Sequence, residues 1–371
     1  MAINIYWQPS FLKKNGTLKQ QMDNFRIDQN NGMEIGLYSL GDYMPDVAGK
    51  YITESQRIKE IVAASKLAND AGLDVFALGE SHQQYFVSQA HQVILGAIAN
   101  ATSNIKITSG VTVLSTSDPV RVYEEFSTLD LLSDGRAEII AGRASRVGVY
   151  ELMGVSLRDY EDIFEEKFDL LLKLNQSQPI SWSGKYRPAL KDAELYPKPL
   201  NGKLPIWRGV GGTPASAIKA GYFGSPMTLA TLAGPSSAFK PTVDAFRSAA
   251  DHYGHDSKSI PVATTSLCYI ANDSQQALID YYPYLNHGWQ LLQGGGFPKS
   301  QFAESANIKN AMMVGSPQQI IDKILYQYEL YGHQRFLAQI DFGGIPFDKI
   351  ARVIELLATK VAPAVFRATL K

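Results

Sequence analysis

Ile105–Arg146, IKITSGVTVLSTSDPVRVYEEFSTLDLLSDGRAEIIAGRASR, indicates the fold class of the whole chain. Its first ten residues, Ile105–Leu114, are rich in β-branched side chains and alternate in polarity, which is typical of a strand. Asp118 and Pro119 then mark the start of a helix, because Asp can accept hydrogen bonds from free amides and Pro fits the first helical position. A second short apolar strand follows at Ala137–Ala141. The stretch therefore predicts a strand–helix–strand unit that is long enough for a parallel crossover.

The rest of the chain repeats this alternation, with no separate compositional block. Eight strand candidates alternate with amphipathic helices: Glu34–Leu40, Leu73–Leu78, Ile105–Leu114, Ala137–Ala141, Leu204–Val210, Tyr222–Leu229, Pro261–Ala271 and Arg335–Asp341. The irregular stretch Gln178–Lys203 is too long for an ordinary connection and is predicted to be an insertion, and Tyr282–Ala311 is predicted to be a second insertion. The pattern predicts an α/β protein built as one (β/α)8 TIM barrel with insertions, rather than a pair of Rossmann domains.

The first 32 residues differ in composition from the rest of the chain. Met1–Gly32 is rich in Asn, Gln and Lys and has no sustained periodicity, whereas a clean strand start lies at Met33. We therefore expect an N-terminal appendage at residues 1–32 and a barrel domain at residues 33–371.

Composition narrows the range of partners. The 371 residues include 35 Lys and Arg against 36 Asp and Glu, so the formal net charge is −1. This balance argues against nucleic acid or an anionic membrane as the main partner. The sequence contains neither an apolar run of about 20 residues nor a signal pattern, which favours a soluble cytoplasmic protein. The His, Asp and Glu residues show no convincing metal-ligand spacing, so we predict no metal site.

Two motifs follow predicted parallel strands, at the edge where ligands bind in such folds. Gly142-Arg143-Ala144-Ser145-Arg146 follows the strand at Ala137–Ala141, and two arginines at this edge indicate an anion. Gly211-Gly212-Thr213-Pro214 follows another strand, and glycine amides, a capping threonine and a helix start together favour a phosphate. The alternative for the second motif is an ordinary strand–helix turn with a good cap.

Several motifs together carry a family resemblance. Val113–Arg121, Leu129–Arg136 and Gly142-Arg143 are modest one by one, but their order and spacing resemble the luciferase-like flavin-dependent monooxygenases. The likeness runs from about Met33 to the C-terminus and is strongest for an uncharacterised branch of oxidoreductases in that family. Members are TIM barrels, so the resemblance implies the same fold.

The resemblance also implies a cofactor site. In the family, the turn that matches Gly211, Gly212 and Thr213 holds the phosphate of FMN, and the arginine that matches Arg143 assists. Ala144 departs from the family's usual second glycine, so the loop backbone can differ there. The pair that matches Gly110 and Val111 often forms a cis peptide bond beneath the flavin ring.

The catalytic residues implied by the resemblance lie after the second predicted strand. Glu80-Ser81-His82 matches a Glu-His-His run in which the first histidine is tied to catalysis, and Ser81 replaces that histidine here. Glu80 and His82 remain as catalytic candidates, since a histidine at a strand end can serve as a general acid or base. A plain hydrogen-bonded histidine is the alternative. The substitution puts luciferase-type aldehyde oxidation in doubt and leaves flavin binding unaffected.

The function implied is a monooxygenase that uses reduced FMN and O2 on a small organic substrate. The reduced flavin would come from a flavin reductase, or from reduction by NAD(P)H at the same site. Hydride transfer with the deazaflavin F420 is one alternative, and flavin binding without turnover is another. A homodimer is expected because dimers are common in the family.

Overall fold

The computed structural model describes residues 25–28, 30–144, 147–176 and 178–371. Within these ranges the strands are β1 (Glu34–Ser39), β2 (Val75–Leu78), β3 (Lys106–Ser109), β4 (Thr112–Val113), β5 (Ala137–Gly142), β6 (Ile180–Trp182), β7 (Leu190–Ala193), β8 (Ile206–Val210), β9 (Met227–Ala230), β10 (Val262–Ile270), β11 (Met313–Gly315) and β12 (Arg335–Gln339). The helices are α1 (Glu54–Asp70), α2 (His91–Ala101), α3 (Pro119–Leu132), α4 (Gly148–Leu152), α5 (Tyr160–Leu174), α6 (Pro214–Tyr222), α7 (Lys240–His252), α8 (Ser274–Gln293), α9 (Lys299–Ala303), α10 (Pro317–Tyr331), α11 (Phe347–Leu356) and α12 (Ala362–Thr369). None of these helices has the length and apolar content needed to cross a bilayer.

Eight parallel strands close into a barrel. β1 pairs with β2 on one side and with β12 on the other, and the order continues through β3, β5, β8, β9 and β10 back to β12. β4 pairs with β5 beyond the end of β3, and β11 extends the sheet beside β10. Apolar side chains on the outer faces of the strands pack against the surrounding helices in one large core. The predicted (β/α)8 TIM barrel is confirmed.

Two strand predictions need correction. The predicted strand Ile105–Leu114 is divided into β3 and β4, because the chain at Gly110 and Val111 leaves the regular pairing. The predicted strand Tyr222–Leu229 begins only at Met227, since α6 runs on through Tyr222 and buries its alanines in the helix layer.

The two predicted insertions have different outcomes. Gln178–Lys203 contains β6 and β7, an antiparallel pair separate from the barrel sheet. Tyr282–Ala311 begins inside α8, which continues through Pro283 to Gln293. Burial of Tyr281 and Tyr284 in the core outweighs the amide hydrogen bond that proline cannot make.

Charged side chains fill the barrel at the N-terminal ends of its strands. Arg335 Nη1 donates to Glu138 Oε2 at 2.6 Å, and Arg335 Nε donates to Glu34 Oε2 at 2.7 Å. The guanidinium lies 4.7 Å from the ring centroid of Trp207. Because these side chains fill the N-terminal end, the space for a ligand lies at the C-terminal ends of the strands.

The end of the predicted appendage contacts this N-terminal face of the barrel. Arg26 Nη1 donates to Asp130 Oδ1 at 2.8 Å and to the carbonyl oxygen of Ala137 at 2.8 Å, and the side chain of Ile27 is buried. These two residues are therefore packed against the barrel and do not stand apart from it. Residues 1–24 lie outside the described residues, and the domain boundary stays a prediction.

Candidate active site

A cavity of about 690 Å³ opens at the C-terminal ends of the barrel strands. Its floor is made by residues that point into the barrel, among them Tyr38, Ile140, Thr228, Thr265 and Leu337. One side extends into the space between the first turns of α5 and α6, where most of the charged wall residues lie. The cavity thus has an apolar centre and a charged end. The position is the one at which barrel enzymes bind their ligands.

A flat ledge crosses the apolar centre at Gly110 and Val111, whose peptide bond is cis, as the resemblance implied. The side chain of Val111 packs directly on Gly142 and Gly209, because a Cβ atom built on either glycine would lie 2.8 Å from a methyl group of Val111. The ring of Tyr38 covers Gly110, where a built Cβ would lie 3.0 Å from Tyr38 Cε2. The close approach of the Val111 and Tyr38 side chains to the backbone therefore favours glycine at these three positions.

Glu80, which follows β2, connects that strand to β4 through a hydrogen bond. Its Oε2 accepts a hydrogen bond from the amide of Val113 at 2.7 Å, and its Oε1 lies 2.7 Å from Nε2 of His82. The backbone amide of Glu80 donates to the carbonyl oxygen of Val111 at 3.1 Å. Glu80 reaches the cavity wall, whereas His82 is not among the described residues that form it. The two catalytic candidates are therefore adjacent, and their catalytic role stays a prediction.

His91 is a third member of this group that sequence reasoning did not single out. Its Nε2 lies 2.9 Å from Thr112 Oγ1, and its Nδ1 lies 3.7 Å from Glu80 Oε2. Burial lowers the pKa of His91 to about 4, so the ring is neutral near pH 7. His91 lies on α2, outside the Glu80-Ser81-His82 motif, so the sequence pattern does not indicate that it belongs to this group.

Arg143 lies at the charged end of the cavity. Its Nη1 is 3.0 Å from Glu161 Oε1, and its Nη2 donates to Ser216 Oγ in the first turn of α6 at 3.3 Å. The backbone amide of Ala144 donates to the hydroxyl of Tyr150 at 3.1 Å. The fold thus brings Arg143 to the start of α6, as the prediction of a shared anion site requires.

The glycine turn before α6 completes this end. Gly211 and Thr213 form part of the cavity wall, while Gly212 lies behind it with a φ of +95°, a conformation that favours glycine. The carbonyl oxygen of Gly212 accepts a hydrogen bond from Thr242 Oγ1 at 2.9 Å. Thr213 is the N-cap residue, as predicted, but its side chain makes no capping hydrogen bond among the described residues. The hydroxyl and the first-turn amides of α6 are therefore free to bind an anion.

Sequence reasoning missed Arg208, which also lines the charged end. Arg208 lies on β8, and its Nη1 and Nη2 pair with the two carboxylate oxygens of Glu165 at 3.1 and 2.5 Å. An arginine inside the apolar stretch Ile206–Val210 was the signal that could have found it, since an arginine is rarely buried without a partner.

Tyr38 lies near the end of β1, and Asp42 follows that strand. Tyr38 lines the cavity, whereas Asp42 is not among its described wall residues.

The fold and this site define a class of protein: a parallel (β/α)8 barrel whose cavity has charged side chains at one end and an apolar centre at the C-terminal ends of the strands. Among the described residues, no three His, Cys, Asp or Glu side chains are grouped so that they could hold a metal ion. The sequence profile of the luciferase-like monooxygenases matches residues 33–334, and the chain belongs to that family.

Comparison with known proteins gives the same family and fold. The alkanal monooxygenase alpha chain of Aliivibrio fischeri is 24% identical over 321 residues, which cover 79% of this chain and 89% of the relative. The monooxygenase RslO1 from Streptomyces bottropensis superposes with a TM-score of 0.78 at 21% identity, covering 89% of this chain and 99% of its own. The oxygenating constituent of 3,6-diketocamphane monooxygenase from Pseudomonas putida, solved with FMN, has a TM-score of 0.71 at 20% identity, with 90% and 98% covered. An F420-dependent secondary alcohol dehydrogenase has a TM-score of 0.68 at 20% identity, with 90% and 99% covered.

Proposed function

We propose that the protein is a flavin-dependent monooxygenase that uses reduced FMN and O2 to oxidise a small organic substrate. Family membership supports the reaction class. The observation that carries the cofactor assignment is the division of the cavity into an anion end at Arg143 and Thr213 and a flat ledge at Gly110 and Val111. FMN has the matching parts, a phosphate at one end and a planar ring at the other.

The residues at the anion end suit a phosphate ester. Arg143 can donate two parallel charge-assisted hydrogen bonds, and the first turn of α6 adds a partial positive charge. Ser216 and Thr213 each bring a hydroxyl to the same end of the cavity. The amide of Gly211 lies on the wall beside them, where a backbone without a side chain allows close approach.

The ledge and the floor suit the ring and the substrate. Bound reduced FMN supplies the electrons that activate O2. Val111 would hold the ring from one side, and the apolar floor around Leu337 would keep water from the reacting atoms. Burial and the nearby Asp341 raise the pKa of Tyr38 above its usual value, so its hydroxyl stays protonated and can donate a hydrogen bond to a substrate oxygen.

Glu80 and His82 take different parts in this proposal. Both oxygens of Glu80 are engaged, by the Val113 amide and by His82, so we assign it to positioning β4 and the ledge rather than to proton transfer. His82 lies behind Glu80 and, through its hydrogen bond to Glu80 Oε1, holds that carboxylate against the amide of Val113. The pair therefore acts together in positioning the ledge.

Two further features belong to the same proposal. The reduced flavin comes from a partner flavin reductase or from NAD(P)H at this site, and the substrate is a small organic molecule.

F420 also carries a phosphate, and an F420-dependent enzyme is among the similar structures, so hydride transfer with F420 is the second candidate. Consumption of O2 coupled to loss of substrate would support the monooxygenase, whereas F420 reduction without O2 uptake would support the alternative.

The cofactor assignment is tested at Arg143. We expect Arg143→Ala to weaken FMN binding by about 1.5–3 kcal/mol, the usual contribution of a hydrogen bond to a charged group. Riboflavin lacks the phosphate, so its affinity should stay the same. Fluorescence titrations with both flavins measure the difference. Arg121→Ala, which removes an exposed arginine on the outside of α3, is the matched control. Equal weakening of both flavins by Arg143→Ala would mean that the arginine does not bind the phosphate.

A further inference from the structure

Two arginines share the anion end of the cavity, and one helix holds both of them. The guanidinium carbons of Arg143 and Arg208 lie 5.6 and 4.7 Å from the ring centroid of Phe164 on α5. Glu161 pairs with Arg143 and Glu165 pairs with Arg208, so carboxylates one helical turn apart each hold one guanidinium. Two like charges are thus kept side by side at the cavity wall.

The side chain of Arg208 is buried and firmly paired in this arrangement. Its side chain is 1% exposed, and Glu165 engages one hydrogen of Nη1 and one of Nη2. The remaining N–H groups include that of Nε, which has no hydrogen-bond partner among the described residues although it is buried. Burial lowers the pKa of Arg208 from its usual value, and the hydrogen bonds and the charge of Glu165 oppose this shift. A buried charged donor without a partner costs free energy.

Arg143 is held only loosely. Its side chain is 24% exposed, and its partner Glu161 is 63% exposed. Exposed ion pairs of this kind contribute little, because water solvates both charges nearly as well as they solvate each other. Glu161 can therefore turn to solvent at small cost when another anion reaches Arg143.

The charges at this end fit an anion once Glu161 has left. Glu165 neutralises Arg208 in part, the charge of Arg143 is then free for a ligand, and Lys219 and Asp162 lie on the same wall with opposite charges. The N-terminus of α6 adds a partial positive charge, and Thr213 has a hydroxyl that makes no capping bond. A phosphate monoester carries a charge of about −1.5 to −2 near pH 7.

We propose that this end of the cavity is a two-arginine phosphate cradle with a carboxylate that is displaced on binding. The phosphate takes the place of Glu161 on Arg143, while Glu165 keeps Arg208 in position as a second donor to the phosphate. Glu161 is then an internal competitor that lowers the affinity for phosphorylated flavin. The inference rests on the proposed function, because it takes FMN as the ligand.

Titration of FMN and riboflavin against three variants tests the cradle. Glu161→Gln should tighten FMN binding by about twofold to fivefold, the effect of removing one exposed ion pair, with riboflavin unchanged. Arg208→Met should weaken FMN binding by about tenfold or more and leave riboflavin nearly unchanged. Since that change leaves Glu165 unpaired near the phosphate, Arg208→Met/Glu165→Gln is made as well and should still bind FMN more weakly than wild type. Unchanged riboflavin binding shows that the cavity of each variant is folded.

Asp162→Asn is the matched control for displacement. Asp162 lies on the same first turn of α5 and on the cavity wall, but its carboxylate accepts a hydrogen bond from the hydroxyl of Tyr186 rather than from an arginine. An equal gain in FMN affinity for Asp162→Asn and Glu161→Gln would show a general charge effect and overturn the displacement. If wild type prefers FMN over riboflavin while the Glu161 and Arg208 variants bind FMN as wild type does, the cradle is wrong and the proposed function stands. If wild type shows no preference for FMN, both are overturned.

Discussion

Single atoms decide the geometry beside the ledge. Val111 packs on Gly209 so closely that a Cβ there would lie 2.8 Å from Val111 Cγ1. We expect Gly209→Ala to destabilise the fold by about 1–3 kcal/mol, the usual cost of overpacking a core. Val111→Ala removes the opposing methyl groups, so the double variant should lose less stability than the sum of the two single changes.

Urea unfolding of the two single variants and the double variant measures this coupling. Gly211→Ala is the control, because a Cβ at Gly211, two residues along the chain, meets no atom within 4 Å. It should change the free energy of unfolding by less than about 0.5 kcal/mol. Additive losses in the Gly209 and Val111 variants would contradict the contact.

At the scale of elements, a buried carboxyl pair joins the loops after β1 and β12. Asp42 accepts hydrogen bonds from the amides of Met44 at 3.1 Å and Gly343 at 2.9 Å. Asp341 accepts from Ser39 Oγ at 2.5 Å and from Arg57 Nη2 at 2.7 Å. Burial and the neighbouring Asp341 carboxyl raise the pKa of Asp42 from 3.8 to about 7, and Arg57 offsets this only in part.

The contribution of Asp42 to the stability of the protein should therefore fall as the pH rises from about 4 to about 7. The folded state binds the proton of Asp42 more tightly than the unfolded chain, so its stabilising effect is complete below the unfolded pKa and is lost as the pH passes the folded one. The loss should be on the order of 2 kcal/mol, since one pKa unit corresponds to about 1.4 kcal/mol and Asp341 shares the titration. Asp42→Asn removes the titrating group and should flatten the stability curve over this range.

Chemical unfolding at several pH values measures that slope. Asp46→Asn is a matched control, because Asp46 also accepts two amide hydrogen bonds, from Ala48 and Lys50, at 2.9 Å each. It should leave the slope as in wild type. A slope for Asp42→Asn equal to that of wild type would assign the pH dependence to other groups.

The sequence predicted the elements better than the contacts between them. Alternating strands and helices were enough to predict the barrel, and the rule that ligands bind at the carboxyl ends of parallel strands placed Arg143 and Thr213 at the same edge, although they lie far apart in the chain. The ion pair of Arg208 with Glu165 was not predictable, because it depends on which way a strand residue points and on the rotation of α5. The helix through Pro283 was missed for a related reason, since tertiary burial outweighed a local rule.

At the scale of the whole molecule, three neighbouring outer helices expose apolar side chains. Leu67 on α1, Val93 on α2 and Leu132 on α3 are among the exposed large apolar residues, and Val93 is 74% exposed. α2 packs against both α1 and α3, so the three side chains lie on adjacent elements. A stable dimer buries about 800 Å² on each partner, which two or three adjacent helices can supply. We therefore expect a homodimer that uses this face.

Light scattering at micromolar concentration tests the dimer. Wild type should have about twice the monomer mass of 40.8 kDa. Val93→Glu combined with Leu132→Glu places charges in the proposed interface, and burying unpaired charges is costly, so this variant should be monomeric. Ile279→Glu changes a comparably exposed apolar residue on α8, away from these helices, and should remain dimeric. A wild-type mass of 40.8 kDa would rule out the dimer, and a dimeric double variant would move the interface to another face of the barrel.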